Sequence, residues 1–345
     1  MLIYTLILSV VGALAMVSLS IPVKYNIMRA FPMAATFLML LVFIGCRDRV
    51  GPDWITYNEY FESYTDVPAR DVLTTVHIEP GFALVNYAVN KLGGNVHVVN
   101  FIGALLMIAG LVKFAYLIDV DPTFLLFLST PYLLYAIGMG FTRQGAAIGL
   151  GYTALGYWIR HKPKMFYTML ALAICFHYSA VLFFLFVKIK NWKKALAAIP
   201  LVVAFGYLLI MTLLRRYIPY VSVSHSSGVW FRLAIIIAGV VTVFAQRRKW
   251  QTEPDLSRLL INCSAVAISL IPVAFIAATL VDRVGWYLFF IYLVAFCRMP
   301  SFSKPWSRYM VLFTVYLVNY TYFFLWFSIS PWAANFWIPY HNSLF

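Results

Sequence analysis

Acidic side chains are scarce in this chain. Its 345 residues include 12 Asp and Glu against 26 Lys and Arg, and only 11% are charged. In a soluble globular protein about 25% are charged. Hydrophobic residues make up 63%, and apolar windows of about 17–25 residues recur along the chain. The composition excludes a soluble globular domain and predicts an all-α polytopic membrane protein.

Cysteine and long polar segments are scarce as well. The four cysteines lie in separate apolar runs without the spacing of a metal site, so we expect buried thiols, no disulfide framework and no bound metal. Without long polar segments, residues 1–345 are predicted to form a single transmembrane domain of about 10–12 transmembrane helices. The candidate spans are residues 2–22, 31–46, 96–114, 123–141, 145–160, 195–214, 230–246, 258–280, 284–297 and 308–330.

Basic clusters set the predicted orientation and account for most of the net charge of +14 without nucleic acid. The positive-inside rule makes them cytoplasmic loops, which puts both termini outside. It makes residues 47–95 an external loop with short interfacial helices, among them the interfacial or re-entrant segment 81–92. Segment 165–187 has basic loops at both ends, so it either crosses against the rule or forms a broken, re-entrant helix pair with its tip near His177. The second interpretation is favoured.

The external loop is the first place to look for function. Residues 47–81 hold seven of the 12 acidic residues: Asp48, Asp53, Glu59, Glu62, Asp66, Asp71 and Glu79. Asp53 and Tyr57 are four apart, so on a helix they share one face. Asp53 is a candidate general base, with Arg47 and Arg49 as anion-binding residues. The alternative is a solvated loop with internal ion pairs.

Three further residues are candidates, each with a structural alternative. Glu79 precedes Pro80 and could either act in catalysis or cap a helix. Arg143 opens a run of small residues and needs a partner or a watery cavity, unless it snorkels to the interface. His177 lies in an apolar segment, where a histidine is either functional or hydrogen-bonded between helices.

Arginine dominates the basic residues placed outside. They are Arg47, Arg49, Arg70, Lys91, Arg143, Arg215, Arg216, Arg232 and Arg283. The positive-inside rule treats Lys and Arg alike, whereas a planar guanidinium suits bidentate binding of phosphate oxygens. Asp282 and Arg283, with Trp286 and Tyr287, are predicted to form a short outer turn whose aromatic rings either stack on sugars or anchor at the membrane interface.

In this order, these residues form a pattern. It contains Arg47, Gly51, Asp53 and Tyr57, then Glu79–Gly81, Arg143, and His177–Ala180, followed by Arg283, Tyr287 and Pro339–Tyr340. The chain therefore resembles the EpsG/Wzy-like polysaccharide polymerases of bacterial inner membranes over nearly its whole length. It departs from the family at Asp48, where a hydrophobic or aromatic residue is more usual, which leaves open whether Arg47 or Arg49 meets substrate.

The resemblance implies a GT-C-like architecture and a metal-independent, cofactor-free membrane glycosyltransferase. Such an enzyme would polymerise undecaprenyl-diphosphate-linked repeat units into O-antigen, capsule or exopolysaccharide on the outer face of the inner membrane. A flippase and a chain-length regulator are possible partners. The candidate catalytic residues are Asp53, His177, Arg143 and Glu79. The candidate substrate-binding residues are Arg47, Arg49, Tyr57, Arg215, Arg232, Arg283, Tyr287 and Tyr340.

Two other functions remain possible on the residues alone. A transporter or flippase for lipid-linked oligosaccharide would also need basic residues in a membrane cavity, but we find no internal repeat of the kind common in transporters. A membrane acyltransferase would also use an intramembrane histidine, but no acid or second histidine accompanies His177 in sequence.

Overall fold

The fold is almost wholly helical. The computed structural model describes residues 1–22, 26–189, 191 and 228–344. Within these ranges, six helices are long and apolar enough to cross a membrane: Leu2–Ser20, Ile27–Gly45, Val96–Leu117, Pro254–Ala274, Ala278–Phe302 and Arg308–Ile329. Shorter apolar helices accompany them, which confirms the prediction of an all-α polytopic membrane protein. The candidate span 195–214 lies outside the described residues.

The described elements follow in chain order. The first are α1 (Leu2–Ser20), α2 (Asn26–Gly45), β1 (Arg47–Asp48), α3 (Trp54–Glu62), α4 (Val72–Thr75), α5 (Pro80–Lys91), α6 (Val96–Leu117), α7 (Pro122–Ser129, continued by a π-helix at Thr130–Gly138), α8 (Thr142–Ile159) and α9 (Pro163–Phe176). Then come α10 (Leu182–Lys188), α11 (Val229–Ala245), α12 (Pro254–Ala274), α13 (Ala278–Leu288), α14 (Phe290–Phe302), α15 (Arg308–Ile329), α16 (Pro331–Phe336) and β2 (His341–Asn342).

Local sequence signals set several helix starts. The Asn95 side chain accepts hydrogen bonds from the backbone N–H groups of His97 and Val98, at 3.1 and 3.3 Å, and so caps α6. Asp121 accepts from Phe124 N at 2.9 Å and caps α7, whose first residue is a proline. Both caps satisfy backbone donors that the first helical turn leaves without partners.

The chain divides into two compact units. Unit 1 contains residues Met1–Val181 and Tyr316–Phe345, and unit 2 contains Leu182–Val315. All residues of the acid-rich segment 47–95 belong to unit 1, together with Arg143 and His177. Arg232, Arg283 and Tyr287 belong to unit 2.

Close contact between α6 and α8 forms the centre of unit 1. A Cβ added to Gly110 of α6 would lie 2.3 Å from the backbone carbonyl of Gly149 in α8, and one added to Gly103 would lie 2.3 Å from the Thr142 side chain. Only glycine allows backbones to approach this closely. The small residues after Arg143 therefore serve helix packing, as the sequence predicts.

Polar contacts of unit 1 gather at two ends of its helices. At one end, Asp121 accepts a hydrogen bond from Ser18 at 2.6 Å and lies 3.6 Å from Arg29. At the other, Arg47 just after α2 binds Asn100 near the start of α6 and Thr142 at the start of α8. These pairings mean that α1, α2, α6, α7 and α8 alternate in direction, as the predicted topology requires. Which end faces the cell exterior stays a prediction.

The C-terminal residues close the same end of unit 1. Strands β1 and β2 pair antiparallel, with Arg47 opposite Asn342 and Asp48 opposite His341. Ser343 N donates to Cys46 O, and Gly51 N donates to Phe336 O, both at 2.8 Å. The segment 47–95 is thus fixed at its base by residues 336–343, which lie far away in the sequence.

Segment 165–187 is broken at the predicted place. α9 ends at Phe176, His177 has an extended backbone, and a 3₁₀ turn at Tyr178–Val181 leads into α10. The direction in which the segment leaves the break stays a prediction.

The predicted outer turn at Asp282–Arg283 is wrong. These two residues lie inside α13, and the chain instead leaves helical geometry between Ala274 and Ala278. Pro272, in the last turn of α12, has no N–H to donate to the helix and weakens it there. Asp282 can continue the helix because Arg232 of the neighbouring α11 supplies its counter-charge.

Candidate functional site

Arg47 is fully buried and bonded to protein atoms on every side. Its guanidinium donates to Ile44 O at 2.8 Å, Val50 O at 3.2 Å, Asn100 Oδ1 at 3.2 Å and Thr142 Oγ1 at 2.7 Å. Burial lowers its pKa to about 10, so it remains a cation at neutral pH. This geometry does not support the prediction that Arg47 binds substrate; it indicates a structural role in holding the loop to α6 and α8.

Arg49 is the exposed member of the arginine pair. Its φ of 51° places it in the left-handed region, which is uncommon for a residue with a Cβ. Asp48 pairs with His97, at 3.7 Å between Oδ1 and Nε2, and not with an arginine. Of the two arginines in the motif, Arg49 is therefore the one with a side chain that a substrate can reach.

Arg143 and Glu79 form the central ion pair of the candidate site. Arg143 lies in the first turn of α8, and Glu79 precedes the first residue of α5. Their side chains meet at 2.7 Å, with 22% of Arg143 and 8% of Glu79 exposed. Glu79 occupies the capping position of α5, but its carboxylate makes no capping bond. Its side chain serves Arg143 instead.

Three aromatic rings surround the Arg143 guanidinium. Its Cζ lies 5.9 Å from the ring centre of Tyr57, 5.6 Å from that of Tyr60 and 5.9 Å from that of Phe82. The rings attract the cation electrostatically and exclude water from it. The buried Nε–H of Arg143 has no hydrogen-bond partner among the described residues. Arg143 is thus a partly desolvated cation that its neighbours hold in one orientation.

Asp53 and Tyr57 adjoin this cation. Asp53 occupies the capping position of α3 and is half-buried, and the Tyr57 hydroxyl donates to its Oδ2 at 3.3 Å. The Tyr57 ring also lies next to Arg143, with 5.9 Å between its centre and Cζ of the guanidinium. The structure therefore brings together Asp53, Tyr57, Glu79 and Arg143, which are separated by up to 90 residues (143 − 53) in the sequence.

His177 lies at a turn next to the same helices. Its Nδ1 is 2.5 Å from Ser179 Oγ, and the ring is half-buried. A Cβ on Gly81 in α5 would lie 2.8 Å from the backbone oxygen of Cys175, two residues before His177. The start of α5, which carries Glu79, therefore packs closely against the end of α9, which carries His177.

Arg232 in unit 2 is buried, like Arg47 in unit 1. Arg232 pairs with the Asp282 carboxylate and donates to Asp282 O at 2.7 Å, and its Cζ lies 3.4 Å from the ring centre of Trp286. Arg283 is half-buried, while Tyr287 is fully buried against Phe183. The Arg232 guanidinium is thus already bound by protein groups, and the Tyr287 side chain has no exposed surface. Neither geometry supports direct substrate contact, whereas Arg283 remains a candidate.

Tyr340 directly precedes the C-terminal strand β2. The Tyr340 hydroxyl donates to Phe43 O at 2.8 Å and its ring stacks on Phe43 at 4.4 Å, so it anchors the C-terminal strand. Arg215 and Arg216 lie outside the described residues.

Sequence reasoning missed the residues that support these side chains. Asn100 and Thr142 hold Arg47, while Tyr60 and Phe82 enclose Arg143. A weak signal was present for two of them: Asn100 is a polar residue in an apolar helix, and Tyr60 follows Tyr57 by three residues on the same helix face.

Comparison with known proteins identifies the family. The profile of the EpsG family matches residues 31–342, nearly the whole chain. No curated protein and no solved structure matches it. The family is associated with polysaccharide polymerases of glycosyltransferase type, and the apolar helices agree with a multi-pass membrane protein. The chain belongs to the EpsG family.

Proposed function

We propose that this chain is a membrane glycosyltransferase that polymerises undecaprenyl-diphosphate-linked repeat units on the outer face of the bacterial inner membrane. One observation carries the proposal beyond the family: Arg143 is a cation held between Glu79 and three aromatic rings, with 22% of its side chain still exposed. A phosphate oxygen of the lipid diphosphate can reach that exposed part of the guanidinium.

The reaction needs a cation and a base. The hydroxyl of the incoming sugar attacks the anomeric carbon of the growing chain, and the bond from that carbon to the diphosphate oxygen breaks. The lipid diphosphate leaves as an anion, which Arg143 stabilises through a preorganised guanidinium. The hydroxyl proton passes to a general base. If the reaction inverts the anomeric carbon in this single displacement, no covalent enzyme intermediate is required.

Asp53 and His177 are the best candidates for the base. Asp53 is half-buried beside the Arg143 assembly, and His177 lies at the turn that packs against the start of α5. Glu79 ranks behind them because its carboxylate is already engaged by Arg143 at 2.7 Å, which weakens it as a proton acceptor.

Arg49 and Arg283 are the remaining candidates for binding the diphosphate or the sugars. Arg49 is exposed at the base of the external loop, and Arg283 is half-buried in α13. Both present a guanidinium that can bind two phosphate oxygens at once. Arg215 keeps its predicted substrate-binding role as well.

Polymerisation by the purified protein tests the proposal. The substrate is the lipid-linked repeat unit extracted from cells that lack this chain, and the product is a ladder of longer glycans. Arg143→Ala should lower the rate by about 10²-fold or more, the size of effect seen when a preorganised charge is removed. Arg160→Ala is the matched control, because Arg160 also pairs with an acid, Asp119, but at the opposite end of unit 1.

Two results would refute the polymerase assignment. One is a wild-type protein that moves the lipid-linked unit across the bilayer of a liposome and never lengthens it, which would favour a flippase. The other is an Arg143→Ala variant that polymerises at the wild-type rate.

A further inference from the structure

Tyr57 is too deeply buried to touch a substrate. Only 1% of it is exposed, and its ring packs against Phe82 at 5.4 Å within a cluster of aromatic and aliphatic side chains from α3, α5 and α6. The motif that contains Asp53 and Tyr57 therefore does not place both side chains on a substrate surface. If Tyr57 contributes to the reaction, it does so through its neighbours.

The Tyr57 hydroxyl has two such neighbours, of opposite charge. It donates to Asp53 Oδ2 at 3.3 Å, and the centre of its ring lies 5.9 Å from Cζ of Arg143. A guanidinium has donors only and an ionised carboxylate has acceptors only. The phenol must therefore donate to Asp53, so that its one proton points toward the carboxylate and only its oxygen lone pairs can face Arg143.

Burial keeps the proton on the Tyr57 hydroxyl, so that the hydroxyl can donate it to Asp53. It raises the pKa of Tyr57 well above its usual value, and Asp53 raises it further, while Arg143 lowers it. The phenol therefore keeps its proton at neutral pH. The described charged or titratable groups that face it are Asp53 and Tyr60 from α3, Arg143 from α8 with its partner Glu79, and Arg47 from β1.

We infer that Tyr57 is a positioning residue whose hydroxyl links the Asp53 carboxylate to the Arg143 guanidinium, so that base and cation are held together at one reaction centre. The inference rests on the proposed function. It adds a separate element, because Tyr57 orients Asp53 and keeps it ionised without contacting the substrate. The 3.3 Å bond is long, as catalytic hydrogen bonds often are before substrate arrives.

Tyr57→Phe removes only the hydroxyl and is the decisive variant. Without the donor, ionised Asp53 is less stable, so the acidic limb of the pH–rate profile should move up by about one pH unit. The kcat should fall about 10- to 100-fold, since a hydrogen bond to a charged group is lost, while KM changes little. The assay is polymerisation of the extracted lipid-linked repeat unit at a series of pH values.

Tyr64→Phe is the matched control. Tyr64 lies in the same buried cluster, and its hydroxyl has no hydrogen-bond partner among the described residues. The same chemical change there should leave kcat and the pH profile unaltered. If Tyr57→Phe keeps the wild-type profile, or if both variants lose activity without a shift in pH dependence, Tyr57 is merely a core residue and the inference is wrong.

Infrared spectroscopy tests the role of Tyr57 independently of the proposed function. Infrared difference spectra of the purified protein, titrated with acid, contain a carboxyl band of Asp53 that Asp53→Asn removes. Tyr57→Phe should raise the pH at which that band appears by about one unit, whether or not the protein polymerises sugars. An unshifted band overturns the link between Tyr57 and Asp53. A shifted band without polymerisation by the wild type overturns only the proposed function.

Discussion

Replacing Glu79 by Gln should destabilise the protein, because it leaves the Arg143 guanidinium beneath three aromatic rings without its counter-charge. Removing one partner of a fully buried ion pair costs about 3–5 kcal/mol. Since 22% of the Arg143 side chain is exposed, water offsets part of this cost. We therefore expect a loss of about 2–3 kcal/mol for Glu79→Gln and a similar loss for Arg143→Gln.

A double-mutant cycle measures the pair itself. Unfolding is followed by tryptophan fluorescence in mixed micelles as the mole fraction of sodium dodecyl sulfate rises, for the wild type, both single variants and the double variant. The double variant should be hardly less stable than either single one, which gives a coupling free energy of about 1.5–3 kcal/mol.

The Asp119–Arg160 pair is the internal control for this cycle. There 40% of the Arg160 side chain and 69% of the Asp119 side chain are exposed, so the same substitutions should give a coupling of about 0.2–1 kcal/mol. If the Glu79 and Arg143 substitutions are additive within about 0.5 kcal/mol, the ion pair contributes nothing, and Glu79 returns as a candidate base.

Three further outcomes are expected. Arg47→Gln should lower the folded yield and the free energy of unfolding by about 3 kcal/mol or more, with little change in KM for the protein that folds; a raised KM at normal stability would instead place Arg47 on the substrate. Gly110→Ala should destabilise by about 1–3 kcal/mol in the same micelle assay, because its Cβ would overlap the Gly149 backbone. A metal chelator should change the polymerisation rate by less than roughly twofold, because the proposed mechanism stabilises the leaving diphosphate with the Arg143 guanidinium; strong inhibition would refute a mechanism based on arginine alone.

Features carried by local patterns could be predicted from the sequence. The apolar windows gave the membrane helices, and basic residues at both ends of segment 165–187 indicated the break at His177. The run of small residues after Arg143 indicated close helix packing, which Gly149 and Gly110 provide. Each of these signals lies within one stretch of chain.

Pairings between distant residues could not be predicted. Composition gives the charge of Arg47 but not that Asn100 and Thr142 would bury it, because that depends on how α6 and α8 pack. Adjacent Asp282 and Arg283 suggested a turn, yet Asp282 lies within a helix and pairs with Arg232, which is 50 residues away. Nothing in the sequence linked Glu79 to Arg143.

The pairing of β1 with β2 has a consequence for biosynthesis. Arg47 pairs with Asn342, which is made 295 residues later (342 − 47). At roughly 5–20 residues per second, the ribosome needs on the order of 15–60 s to reach it. Throughout that interval the base of the external loop lacks the strand that fixes it. The protein should therefore gain its function only after Asn342 has been made, when strand β2 returns to a segment that was synthesised much earlier.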